Sequence, residues 1–172
     1  EELSQLVNEL LDFSKASMRP ATLELEDVDI RGLCEVVTVR EAGDSDIHID
    51  VAEGLMIRSR HDLLRRAIGN LVRNAVRYAG SEGEIRVSAL AMENSVSISV
   101  EDSGPGLPEP WLEKVFEPFS RPDEARAREA GGSGLGMAIA KTCVTSLGGE
   151  IHCENRKTGG LRVVINLPAS GS

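Results

Sequence analysis

Asn70-Leu-Val-Arg-Asn74-Ala-Val-Arg77-Tyr78 lies in a longer segment, Asp62 to Ala79, where Leu63, Leu64, Ala67, Ile68, Leu71, Val72, Ala75 and Val76 recur in adjacent pairs, each residue with another three or four positions away. That spacing gathers them on one face of a helix and sets Asn70, Asn74 and Arg77 together on an adjacent one. Directly after it, Glu84 to Ala91 and Ser95 to Glu101 alternate apolar and polar residues around Glu93-Asn94, the pattern of an antiparallel hairpin. A single long helix followed by a hairpin, with no second helix between the strands, is the unit from which the fold is read.

The same rhythm extends both ways. Upstream, Thr22 to Asp27 alternates like a strand, Asp29 is placed to cap a helix from Ile30 to about Glu41, and Gly43-Asp44 breaks it. Ile47 to Val51 and Leu55 to Arg58 read as two short strands flanking a Glu53-Gly54 turn. Downstream, a helix from Leu135 to about Leu147 precedes strands over Glu150 to Glu154 and Leu161 to Leu167. Pro105 to Gly134 shows little periodicity beyond a short helical turn at Trp111 to Phe116, and loops of this length are usually functional or mobile. Hairpins alternating with single helices, instead of regular βαβ units, predict an α/β (α+β) two-layer sandwich with a mixed, largely antiparallel sheet packed on helices.

Before this, Leu3, Leu6, Leu10 and Phe13 recur at steps of three, four and three, the seam of a bundled helix, and Pro20 ends it. The expected division is therefore a bundle helix over residues 1–18 and one domain over 19–172, the helix packing against helices outside this chain.

Composition sets the bounds. The 172 residues, 41% of them hydrophobic, suit one domain with an adequate core. With 19 Lys and Arg against 28 Asp and Glu, the formal charge of -9 disfavours a general grip on nucleic acid or on an anionic membrane. Cys34, Cys143 and Cys153 have no CxxC spacing, and His48, His61 and His152 sit at no metal-ligand interval, so free packing thiols and no zinc site are expected. No apolar run approaches the length that spans a bilayer.

Two further segments carry the chemistry with Asn70 to Tyr78: Asp102-Ser-Gly104-Pro-Gly106 and Gly132-Ser-Gly134-Leu-Gly136. A nucleotide needs N–H groups or cations for its phosphates and a shaped slot for its base. Glycines before a helix let the backbone approach phosphate and aim unpaired amides and the positive dipole end at it. No Lys-Ser/Thr pair follows, so this is not a Walker A loop. Asn74 offers a neutral oxygen suited to Mg²⁺ held mainly by water and phosphate, or is simply a helix-surface amide, and Arg77 follows within one turn. Asp102 ends a strand before a Gly-x-Gly turn, where a carboxylate can accept from an adenine amine or simply stabilise the turn.

In these motifs the chain resembles the catalytic, ATP-binding domain of sensor histidine kinases, within the wider group of gyrase B, Hsp90 and MutL. Asn70 to Tyr78 is similar to the family's N box, Asp102 to Gly106 to its first glycine box, Phe116-Glu-Pro-Phe119 to its F box and Gly131 to Met137 to its second glycine box. The resemblance implies ATP and Mg²⁺ as cofactors, Asn74 as the Mg²⁺ ligand, Asp102 as the adenine contact and Tyr78 as a wall near the base. It also implies phosphate contacts and catalytic roles for Arg77 and Arg121, with Asn70, Gly104, Gly106, Gly132, Gly134, Leu135 and Gly136 completing the nucleotide site. Pro118 to Ser133 corresponds to the ATP lid.

The amino-terminal helix, ending Leu-Val-Asn-Glu-Leu-Leu-Asp-Phe-Ser, is similar to the second helix of the family's dimerisation and phosphoacceptor domain. The partners implied are that domain and a response regulator, in a bacterial homodimer anchored in the inner membrane with this part in the cytoplasm. Arg121 to Arg126 and the following segment are loosely similar to Cpx-type envelope-stress sensors. Two departures stand out: no His lies in a phosphoacceptor context, and Met137 and Ala140 replace larger aliphatic residues.

Water-activating ATPases of the wider group place a Glu one turn before the Mg²⁺ Asn, where this chain has Asn70. An amide is no useful base near neutral pH, which points to transfer to an acceptor brought from elsewhere. The resemblance implies that this acceptor is a His of the dimerisation domain, from which the phosphoryl group passes to a response-regulator Asp. The alternatives are an anti-sigma-type serine kinase of the same fold and a degenerate nucleotide-binding docking module. The bundle-like helix counts against the first, and the intact Asn74 and Asp102 against the second.

Overall fold

The computed structural model describes residues 24–80, 83–122 and 133–169, together with positions 7, 8, 10, 11 and 14, which are helical. Most of the segment expected as a bundle helix, and residues 123–132 of the expected lid over Pro118 to Ser133, Gly132 among them, therefore lie outside the described residues.

Strand β1 (Glu26–Asp29) runs straight into helix α1 (Ile30–Glu41), and the Asp29 side chain caps that helix by accepting the Arg31 N–H at 3.1 Å. Strands β2 (Ile47–Val51) and β3 (Met56–Ser59) follow, separated by a turn in which Gly54 takes φ 75°. These two neighbours do not share a sheet. Strand β3 pairs with β1 in a two-stranded antiparallel sheet, whereas β2 joins the main sheet.

Helix α2 (His61–Ala79) ends at Gly80, φ 76°, and leads to the hairpin of β4 (Ile85–Ala91) and β5 (Ser95–Asp102). A short helix α3 (Trp111–Lys114), helix α4 (Gly136–Ser146) and a second hairpin, β6 (Glu150–Asn155) with β7 (Leu161–Pro168), complete the order. The main sheet runs β2-β4-β5-β7-β6, parallel between β2 and β4 and antiparallel elsewhere. This is the mixed, largely antiparallel sheet on helices that the sequence predicts.

The period of two along β5 decides where the site lies. Val96, Ile98 and Val100 are buried in the core, and Asp102 shares their parity, so its carboxylate points to the same face as they do. Leu64, Ile68 and Leu71 of α2 and Ile139 and Val144 of α4 bury in the same core, each such side chain stabilising by about 1.5–3 kcal/mol. The opposite face is polar. Glu101 ion-pairs with Arg162 at 3.3 Å and Arg162 with Glu154 at 3.3 Å across three strands, while Ser88 and Ser99 hydroxyls meet at 2.8 Å. Glu41 and Arg73 tie α1 to α2 through two bonds of 2.9 and 3.1 Å.

Candidate functional site

The polar stripe of α2 is walled at both ends by the glycine segments. Asn70 is buried, its Nδ2 donates to the Arg66 carbonyl at 2.8 Å, and its Oδ1 faces Gly136, where a Cβ would stand 3.4 Å from it. About one and about two turns further on, Asn74 and Arg77 are half-buried, and Tyr78 is exposed. The Tyr78 carbonyl packs on Gly104 so closely that a Cβ there would lie 2.5 Å away. Any residue but glycine would thus push the first glycine loop off the end of α2.

The structure brings Asn70 and Gly136 together at one end of the stripe and Tyr78, Asp102, Gly104 and Gly106 at the other. Asp102 Oδ1 accepts the Gly104 N–H at 2.8 Å and the Leu161 N–H at 3.4 Å, while Oδ2 takes neither. Burial pushes the Asp102 carboxyl pKa above the ordinary carboxylate value, opposed by these two N–H groups and by the Arg156 charge.

At the other end, among the described residues no side chain caps α4, a helix start that suits an anion, and the Leu135 N–H just before it is taken by Ser133 Oγ at 3.1 Å. Leu135 is wholly buried and its side chain packs in the core, so the residue supports the glycine segment by packing and exposes no atom in this conformation. Gly134, φ 78°, receives Phe119 N–H on its carbonyl at 3.0 Å, which joins the F box to the second glycine segment. Phe119 is itself left-handed, φ 62°, and exposed. Arg121 lies in a cleft of about 610 Å³ shared with Trp111, Lys114 and Phe119, whose lining includes none of Asn70, Asn74 or Asp102.

The cysteines are free and buried, as expected. Among the described residues no three His, Cys, Asp or Glu side chains gather to hold a metal, and no helix is long and apolar enough to cross a membrane. What composition and spacing do not reveal is the turn between β6 and β7, where Asn155, Arg156, Gly160 and Leu161 all contact the Asp102 loop. Their one sequence signal is an Asn at a strand end followed by Gly159-Gly160, which reads as an ordinary turn.

The donor set fits an adenine nucleotide. Among the described residues Asp102 is the one buried carboxylate and stands at the Tyr78 end of the stripe, the glycine segments pack closely on both ends of the stripe at Gly104 and Gly136, and no side chain caps the start of α4. A family model described as histidine kinase-, DNA gyrase B-, and HSP90-like ATPase matches residues 59–171. Sensor histidine kinase CpxA of Escherichia coli (strain K12) is 45% identical over 61% of this chain and 22% of its own length. Sensor histidine kinase WalK of Bacillus subtilis (strain 168) is 31% identical over 98% of this chain and 29% of its own. The chain thus spans less than a third of the length of these relatives. Full-length ShkA, solved in complex with AMPPNP, superposes with a TM-score of 0.83 at 26% identity, covering 99% of this chain and 36% of that one.

Proposed function

The chain belongs to the histidine kinase-, DNA gyrase B-, and HSP90-like ATPase family, and from that membership we propose that residues 19–172 form the ATP-binding catalytic unit of a two-component sensor histidine kinase. Residues 1–18 are then the end of a dimerisation and phosphoacceptor helix. The γ-phosphate goes to a His on that dimerisation domain and on to a response-regulator Asp, in a membrane-anchored homodimer whose catalytic unit is cytoplasmic.

The reading is supported chiefly by the meeting of two glycine segments with opposite ends of one polar helix stripe, Gly136 at Asn70 and Gly104 at Tyr78. Bound ATP with Mg²⁺ supplies the phosphoryl group. The chain's own residues bind, orient and neutralise. Asp102 accepts from the adenine amine, and Asn74 gives its amide oxygen to Mg²⁺. Arg77, Arg121 and the first amides of α4 balance phosphate charge, and Gly104, Gly106, Gly132, Gly134 and Gly136 let the backbone come close. Asn70, with its amide nitrogen held by the Arg66 carbonyl, presents no base to water, so positioning of an external acceptor dominates.

Calorimetry with ADP and a non-hydrolysable ATP analogue, with and without Mg²⁺, tests the binding half of this reading. Saturable, adenine-selective, Mg²⁺-sensitive binding is expected, and none in folded protein overturns it. Labelled ATP plus a supplied phosphoacceptor domain tests the transfer half, which fails if no phosphohistidine forms.

A further inference from the structure

Asn155, the last residue of β6, presents both ends of its amide to one backbone unit across 48 residues of sequence. Leu107 N–H donates to Asn155 Oδ1 at 2.8 Å, and Asn155 Nδ2 donates to the Leu107 carbonyl at 2.6 Å. The pair reproduces what a neighbouring strand would give. The same Oδ1 would lie 2.5 Å from a Cβ on Gly106, so the loop rests directly on the amide. At the loop's other end, Arg156 Nη1 donates to the Asp102 carbonyl at 2.8 Å and Leu161 N–H to Asp102 Oδ1 at 3.4 Å. One turn, residues 155–161, therefore holds the segment Asp102 to Leu107 at both ends.

We infer that Asn155 is a positioning residue for the base end of the nucleotide site, setting adenine affinity and selectivity through the Leu107 backbone without touching nucleotide. This rests on the ATP-binding reading above. The segment Asp102-Ser-Gly104-Pro-Gly106 carries two glycines, one of them left-handed at φ 69°, and a chain so free must be ordered before it can present a carboxylate to a base. Where the protein orders it in advance, binding need not. Asn155 is itself exposed, so its truncation opens no cavity in the core.

The test uses the whole chain, with Asn155→Ala and Asn155→Ser titrated with Mg²⁺ and ADP, GDP and a non-hydrolysable ATP analogue, and amide exchange followed at Gly104 and Leu107. Asn155→Ala is expected to bind ADP about tenfold more weakly, about 1.4 kcal/mol. The ADP-to-analogue affinity ratio stays at its wild-type value, the preference for ADP over GDP shrinks, and both amides exchange faster. Asn155→Ser, which keeps one oxygen, falls between, and decides the matter should the alanine variant fail to fold. Wild-type ADP affinity in folded variants overturns the inference, as does a loss confined to the γ-phosphate or a lower Tm with adenine preference intact. A wild-type chain that binds no adenine nucleotide overturns the ATP-binding reading itself, and this inference with it.

Discussion

Asp102 Oδ1 accepts the Gly104 N–H at 2.8 Å, so the one carboxylate buried among the described residues, proposed to meet the adenine amine, also shapes the turn that follows it. An amide oxygen at position 102 would accept the same N–H and that of Leu161, keeping the turn. Asp102→Asn should therefore fold, yet present a donor where the adenine amine needs an acceptor. ADP affinity is expected to fall at least tenfold, about 1.4 kcal/mol. Unchanged affinity in calorimetry would remove Asp102 from the site.

Stability should move the other way. Burial raises the Asp102 pKa above 3.8, so over the window from there up to its folded value the native state holds a proton the unfolded chain has released. Native stability through this group is full below pH 3.8 and declines as pH rises through the folded value. A neutral amide at that position has no such slope. The stability of Asp102→Asn relative to wild type, from urea titrations between about pH 3.5 and 7, is thus expected to rise with pH. A flat difference would mean that the carboxylate is as well solvated folded as unfolded.

Asn74 tests the metal end. Asn74→Asp adds a charge on a half-buried helix position where an amide oxygen is proposed for Mg²⁺. ADP binding in chelator should weaken, since the new carboxylate repels the phosphates, and the ratio of affinities with and without Mg²⁺ should shift by about tenfold or more. An unchanged Mg²⁺ titration would contradict the ligand role.

The local half of this architecture is legible because its causes are local. Asp29 ahead of Ile30 has the side chain that caps α1, the apolar spacing of Leu64, Ile68 and Leu71 fixes the buried face of α2, and the parity of Val96, Ile98 and Val100 fixes the face of Asp102. Strand partners are another matter, since a period of two states a strand's faces and says nothing of its neighbours. Hence β2 and β3, adjacent in sequence, separate into different sheets, and β2 pairs in parallel with β4. The second glycine motif groups Leu135 with its neighbours as a site residue, although its size and apolarity send the side chain into the core. Asn155 carries no signal beyond that of an ordinary turn, because its partner, Leu107, is apolar and is met through backbone alone.

The thiols should be inert. Burial, helped by the Asp29 and Glu35 charges, pushes Cys34 up to about 12, and burial pushes Cys153, whose S–H donates to the Leu112 carbonyl at 3.0 Å, up to about 11. At pH 8 Cys34 is therefore held as the thiol, and the thiolate is the reactive form. A disulfide-exchange reagent is expected to modify none of the three cysteines in native protein at about pH 8 and all three in guanidinium. Rapid native labelling of Cys34 would contradict its burial.

Gly159 and Gly160 allow the contact that holds Asp102 to be separated from backbone strain. Both are left-handed, φ 95° and 94°, so alanine strains each by about 1–3 kcal/mol. They differ in surroundings: a Cβ on Gly159 meets nothing within 4 Å, whereas one on Gly160 would overlap the Asp102 carbonyl and lie 2.9 Å from Ser103 Cα. That overlap is with backbone, which no rotamer change relieves. Gly160→Ala should therefore be less stable than Gly159→Ala by about 2 kcal/mol or more, the cost of displacing packed backbone. It should also weaken ADP binding in whatever fraction remains folded, because the displaced atom belongs to the residue that presents the carboxylate. Gly159→Ala should bind as wild type does. Equal stabilities for the two, from denaturant midpoints at matched m-values, would mean that the turn between β6 and β7 does not press on the Asp102 backbone as its geometry requires.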